Sequence, residues 1–331
     1  MQTKLKIYLL PIVLLLITVL LSCTEKSAGG EIAVIVPLSL EGQPETDALV
    51  KAVRAFAKKH GMAVLNETAG SRQEWADKVK LFAGKNPSAA VISYSPPAYG
   101  ILKEICTDYP DLFFLVFDSD PEDKNPPPNM VSIIYDRLQQ GFLTGYLAAL
   151  ITEKNAGESA ALISGPLNKN TRSYLFSGIE IGIHTVNPDI SLEISEIPGW
   201  NDRLTSGRKA ADFFNSGTDV IIAYAGKADE GIISTAEEYG KYVLAMYPEN
   251  NEVSAEISFM VNDMVNYYLD SHIKNNLSGG SFYKANIENG YLKLLPVNKK
   301  YRKKFSSGVI DEIRKVEKAF RNNSLDISAA E

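Results

Sequence analysis

Cysteine is nearly absent: Cys23 and Cys106 are the only two in 331 residues. Two thiols, one of them at the end of an apolar leader, exclude a disulfide framework as the source of stability. Ile101, Leu102 and Ile105 beside Cys106 point to a buried, inert thiol. Histidine is scarce as well. His60, His184 and His272 lie on polar helix faces or helix ends, apart from cysteines or carboxylates at metal-ligand spacing, so they are read as solvated surface and no metal site is expected. Positive charge is not in excess, since 34 Lys and Arg against 40 Asp and Glu leave a net charge of −6, and this speaks against a nucleic-acid partner. Catalytic signatures are missing too. Gly226-Lys227 lacks the glycine five residues earlier and the hydroxyl after it that a phosphate-cradling loop requires, and no G-x-S-x-G elbow occurs. Neither an enzymatic activity nor a cofactor is expected.

What is present is an ordinary globular composition, 45% apolar and 22% charged, behind a leader. Residues 1–22 are read as an export signal: Lys4 and Lys6, an uncharged run from Ile7 to Leu21, then Leu20-Leu21-Ser22-Cys23 in the form of a lipoprotein cleavage box. Cys23 is the expected lipidation site, and residues 23–30 form a polar linker. The alternative is an uncleaved anchor, for which the apolar run is a little short of the ~18 residues a membrane span needs. On either reading the body lies outside the cytoplasmic membrane, tethered to it and facing the periplasm or exterior.

From Glu31 onward, short apolar runs alternate with helical periodicity. EIAVIV, MAVLNE, AAVISY and LFFLVF read as strands, and the helix over 47–59 ends at Gly61. Trp75, Val79 and Phe82 mark a second helix, and Ile101, Leu102 and Ile105 a third. The proline-rich segment 118–129 is a surface loop. Met130 to Ile134 is a buried strand followed by the charged pair Asp136-Arg137 and an abrupt change of period. Leu138, Phe142, Tyr146 and Ala149 form one helix face, and Gly141, Gly145 and Ala148 a small face that admits a close neighbour. Four more strands and three more helices follow to Met246. The segment 255–273 reads as helix, SFYKANIENGYLKLLPV as two strands joined by a turn at 288–290, and 307–320 as a final helix. Two successive α/β halves predict two open, mostly parallel sheets flanked by helices. In such sheets ligands lie beyond the carboxyl ends of the strands, which singles out Ser39, Tyr94, Ser95 and Asp118. Trp200, in PGWND after a strand, would be displayed at the same edge, where an indole stacks on a flat solute; it could equally plug a loop. Asp202 either accepts from a ligand or caps the helix after it.

Three segments, NMVSIIYDRLQQGFLTGYLAAL (129–150), PLNKNTRSYLFSGIEIGIHTVNPDI (166–190) and IPGWNDRLTSGRKAADFFNSGTDVII (197–222), resemble the basic membrane protein, or PnrA-like, family of bacterial lipoproteins that bind nucleosides for ABC importers. The resemblance implies a two-lobed type I periplasmic-binding-protein fold with a three-crossing hinge near Ile134, Met246 and Tyr283. The lobes would then comprise 31–134 with 247–283, and 135–246 with 284–331. It also implies a monomer that hands a nucleoside-like or other small aromatic or polar solute to an ABC permease. Asp118 matches the family's aspartate after the fourth strand, Trp200 its base-stacking aromatic, and Gly226 a glycine whose backbone approaches the ligand. With these, Asn201, Asp202, Lys227, Tyr94, Ser95 and Ser39 complete the expected binding set. The family's aspartate-rich segment after the first strand is replaced by Pro37-Leu38-Ser39-Leu40, its second-crossing aspartate by Met246-Tyr247-Pro248, and its following lysine falls near Phe259. A membrane-tethered sensor or regulatory lipoprotein that keeps the fold without a purine-nucleoside site is the alternative.

Overall fold

The computed structural model describes residues 30–85, 90–94, 99–119, 125–246, 253–295 and 307–327. β1 (Glu31–Pro37) passes through a single 3-10 turn into α1 (Pro44–His60). Pro44 starts that helix where no N–H partner is needed, Glu45 and Asp47 face its positive end, and Gly61, at φ +63°, stops it. The unit repeats through β2 (Ala63–Ala69), α2 (Arg72–Lys85), β3 (Ala90–Tyr94), α3 (Tyr99–Cys106) and β4 (Phe113–Phe117) to β5 (Met130–Tyr135). β4 and β5 are buried along their whole length, as strands covered by helices on both faces must be.

The chain then enters the second lobe through α4 (Arg137–Lys154), which Asp136 caps by accepting from the Gln139 N–H at 3.0 Å. β6 (Ser159–Ser164), α5 (Lys169–Val186), β7 (Ser191–Glu196), α6 (Arg203–Asn215), β8 (Val220–Tyr224), α7 (Asp229–Tyr239) and β9 (Tyr242–Ala245) follow, then β10 (Ala255–Phe259), α8 (Val261–Ile273), β11 (Ser281–Ala285), β12 (Leu292–Leu295) and α9 (Ser307–Arg321). Two six-stranded sheets result, ordered β11-β5-β4-β3-β1-β2 and β12-β10-β9-β8-β6-β7. Every described pairing is parallel except β10 with β12.

Two sequence expectations are corrected here. Residues 255–259 are strand, not helix: Ala255, Ile257 and Phe259 are buried at a spacing of two, and that short pattern merges in sequence with the helical period that begins at Val261. β10 therefore stays in the second sheet, and the chain returns to the first at Met260 rather than near Met246. The strands β11 and β12 do not form a hairpin; one joins each sheet, and the Asn/Gly-rich turn between them is the third crossing. That crossing is tied to the first. The Asp136 N–H donates to the Ala285 carbonyl at 3.0 Å, Lys284 pairs with Asp136 at 2.7 Å, and Gln139 accepts from the Ile287 N–H at 2.9 Å while donating to Glu288 at 2.8 Å. His272 also departs from the expected solvated surface: it stacks on Phe113 at 3.9 Å, and burial lowers its pKa. Cys106 is buried and free, and burial pushes its thiol up to about 12.

The second lobe rests on the contact of α4 with α5. A β-carbon on Gly141 or Gly145 would collide with the backbone carbonyls of Leu175 or Ile179, and one on Gly178 or Gly182 with those of Leu138 or Phe142. The two helices meet backbone to backbone through four glycines, which is the close approach that the small face of α4 predicts. Gly145→Ala is expected to destabilise the fold by about 1–3 kcal/mol through overpacking. Gly84→Ala, where an added methyl meets nothing within 4 Å, is expected to be neutral or to stabilise by up to ~1 kcal/mol; urea unfolding of both variants checks the contrast.

Candidate functional site

The carboxyl edges of the two sheets face each other across the crossings, and Arg137 stands at their centre. As the first residue of α4 it leaves the N-cap pointing into the cleft, and it is only 4% exposed. One terminal nitrogen donates to Glu45 Oε1 at 2.6 Å and Gln140 Oε1 at 3.0 Å; the other donates to Asp118 Oδ2 at 3.0 Å. Glu45 comes from the start of α1 and Asp118 from the end of β4, both in the first lobe, whereas Gln140 lies on α4. From the second lobe the Tyr224 hydroxyl donates to the same Glu45 oxygen at 2.7 Å. The guanidinium carbon lies 5.1 Å from the Tyr135 ring, 5.4 Å from Phe259 and 5.9 Å from Tyr224, a cation held against three aromatic faces. Burial pushes the Tyr135 and Tyr224 phenols well above their ordinary range, so both stay neutral. Asp118 takes a left-handed backbone, φ +51°, an uncommon conformation for a residue with a side chain. Ser119 fixes that turn by donating twice to the Ile133 carbonyl, at 2.9 and 3.1 Å.

Beside this cluster the lobes touch. Gly226, at φ +66°, lies so near Gly42 of the first lobe that a β-carbon would strike the Gly42 carbonyl, and Asn201 and Trp200 border Gly42 from the other side. Trp200 is 5% exposed, packs its ring over Gly165 and meets Tyr224 edge-on at 5.8 Å. Asp202 caps α6, accepting from the Thr205 N–H at 3.0 Å, and that bond holds its carboxyl below the usual carboxylate range. On the flank nearest the first and third crossings lies a groove of about 560 Å³, floored by Asp118, Tyr135, Arg137 and Thr171, edged by Tyr174 and Lys284, and closed by Phe320 and Ile327 near the chain's end. Its volume suits a small organic solute. Among the described residues no group of His, Cys, Asp and Glu could hold a metal ion, and no helix is long and apolar enough to cross a membrane.

Of the residues singled out from sequence, Asp118 lines the groove, and Trp200, Asn201 and Gly226 meet at the lobe contact. Ser39 is exposed and Lys227 partly exposed, and neither lines the groove; Tyr94 ends β3 opposite Phe117. Ser95 and Cys23 lie outside the described residues. Sequence reasoning missed Glu45, Arg137, Tyr135, Tyr224 and Phe259. The one available signal was a charged pair, Asp136-Arg137, placed between a fully apolar strand and a glycine-lined helix.

The sequence matches the model of the Bmp family, ABC transporter substrate-binding protein PnrA-like, over residues 30–330. It is 25% identical over 197 residues to basic membrane protein C of Borreliella burgdorferi, covering 56% of this chain and 54% of that protein. It is 23% identical over 295 residues to basic membrane protein A of the same organism, covering 85% of each. The chain thus spans about half the length of the first relative and most of the second. Among solved structures, a solute-binding protein of an ABC transporter system from Aeropyrum pernix superposes with a TM-score of 0.76 at 12% identity, covering 90% of this chain and 92% of that one. A solute-binding protein from Conexibacter woesei gives 0.71 at 16% identity, covering 90% and 98%. These likenesses establish an α/β fold with two mostly parallel, helix-flanked sheets, that of the type I periplasmic solute-binding proteins.

Removing Arg137 strands two carboxylates in a dry setting. Arg137→Ala is expected to lose about 3–5 kcal/mol in denaturant unfolding. Arg137→Lys should recover only part of that, because a single ammonium cannot fork between Glu45 and Asp118.

Proposed function

Because this chain belongs to the Bmp family of PnrA-like ABC transporter substrate-binding proteins, we propose that it is a lipid-anchored binding protein that closes its lobes on a small flat or polar solute, nucleoside-like in kind, and presents it to a membrane permease. The observation that carries this reading is the meeting of the lobes through Glu45–Tyr224 and Gly42–Gly226, beside a groove walled by both. A fold whose two halves touch at the strand ends and hinge on three crossings is built for closure over a bound molecule. Asp118 supplies an acceptor in that groove, while Trp200 and Gly226 stand at the lobe contact beside it. Cys23 carries the anchor at the start of the 23–30 linker.

A thermal-shift screen of the full chain against nucleosides, bases, sugars and amino acids tests this. A true solute at 100 times its dissociation constant is expected to add ~2.7 kcal/mol of stability, and solution scattering with that solute should report a smaller radius of gyration. Absence of a shift with every class would overturn the reading. The anchor is tested separately: Cys23→Ala should release the protein from the membrane fraction and abolish labelling by a fatty-acid probe, and unchanged labelling would remove Cys23 as the attachment point.

A further inference from the structure

We propose that the hydrogen bond from Tyr224 to Glu45 is a latch, built wholly of the protein's own groups, that biases the two lobes shut before any solute arrives. This goes beyond the solute-binding reading and does not depend on which solute is bound. Tyr224 is the last residue of β8 in the second lobe, Glu45 lies in the first turn of α1 in the first, and the hydroxyl donates to Glu45 Oε1 at 2.7 Å. Both residues are 0% exposed, so the bond is shielded from bulk water. Burial keeps the phenol neutral, and a neutral phenol facing a carboxylate donates. Hydrogen bonds to a charged acceptor are among the stronger ones. The contact is packed with side chains. Trp200 meets the Tyr224 ring edge-on at 5.8 Å, the Arg137 guanidinium lies 5.9 Å from it, and none of Glu45, Trp200 or Tyr224 lines the groove on the neighbouring flank.

The position of each partner relative to the crossings makes this bond the one that releases. Arg137 directly follows the first crossing, so a rotation about the crossings moves it little, and its bonds to Glu45 and Asp118 persist. Tyr224 stands farther out. In the second sheet β9 separates β8 from β10, the strand that leads into the second crossing, which puts Tyr224 about 10 Å from that strand. The same rotation therefore carries its hydroxyl away from Glu45 first. Release leaves the Glu45–Arg137 pair intact and passes the freed hydroxyl to water, so no buried charge is stranded and the bond is reversible. Its loss is expected to lower the ratio of closed to open molecules about 10- to 100-fold, the range for a hydrogen bond to a charged group. Entry of a solute between the lobes then waits on the release of this one bond.

Tyr224→Phe removes the hydroxyl and keeps the ring, and the test compares this variant with the wild type as full chains, with no solute added. Solution scattering reports the lobes as a whole, and the variant is expected to show the larger radius of gyration. Acrylamide quenching reports the contact itself. The chain has two tryptophans: Trp75, enclosed in the core of the first lobe at 2% exposure, and Trp200, which borders Gly42 across the lobe contact at 5%. Opening uncovers Trp200 and leaves Trp75 protected, so the readily quenched part of the fluorescence should grow in the variant. Urea unfolding of both proteins confirms that folded molecules are compared. An unchanged value of either readout overturns the inference: quenching alone would mean a local loosening of the second lobe, and expansion alone a change away from the contact. Because neither measurement contains a solute, that failure leaves the solute-binding reading standing, and a solute screen without a shift leaves the latch standing.

Discussion

The guanidinium of Arg137 is the constraint from which the arrangement of the cleft follows. A cation that is 4% exposed is tolerated only with counter-charges at hydrogen-bond distance. Those counter-charges come from the first turn of α1 and the end of β4, so the pairing fixes how the first lobe meets the crossing helix. Tyr224 then shares the Glu45 oxygen with Arg137 and brings the second lobe into the same cluster. One side chain at the junction thereby sets the mutual position of three elements that are distant in sequence, and the rings of Tyr135 and Phe259, stacked on each other at 4.3 Å, wall the charge from water.

The helix that carries Arg137 is itself positioned by the absence of side chains. Gly141, Gly145, Gly178 and Gly182 let α4 and α5 meet backbone to backbone. α4 begins at the crossing and α5 begins at Asn168, whose side chain caps it by accepting from the Thr171 N–H at 2.9 Å. The start of each helix contributes to the groove, through Arg137 and Gln139 on one and Thr171 and Tyr174 on the other. The interhelical distance that the glycines set therefore passes directly into the width of the groove. The small face of α4 is thus part of the geometry of the cleft as well as of the core.

The fold was largely legible because it is written in local pattern. Fully apolar strands, the change of period after Tyr135, and the glycine face of α4 need no knowledge of distant residues. The errors have the same origin. A two-residue period only five residues long, Ala255 to Phe259, disappears when it abuts a longer helical one, and turn chemistry at 286–290 reads identically whether the flanking strands share a sheet or part between two. The cleft was less legible. Asp118, Trp200 and Gly226 could be singled out by their place after strands and by the family resemblance, since position along the chain already implies position at a sheet edge. Glu45 could not: an acid in a helix's first turn satisfies the helix dipole, and nothing local discloses that its partners Arg137 and Tyr224 stand 92 and 179 residues away. Buried charge pairs between lobes are a property of how the halves are joined.

The approach of Gly226 to Gly42 has a bearing on evolution. The spacing of the closed lobes is set there by two bare peptide groups, each at a left-handed φ, +66° and +83°, in which glycine sits without strain. A methyl at Gly226 would strike the Gly42 carbonyl and act as a doorstop, holding the halves apart. Apparent affinity scales with the fraction of molecules able to close, so a lineage could retune how tightly a solute is held from a position that does not line the groove. The contact of the two glycines is in that sense a rheostat for closure, set beside the groove rather than in its lining.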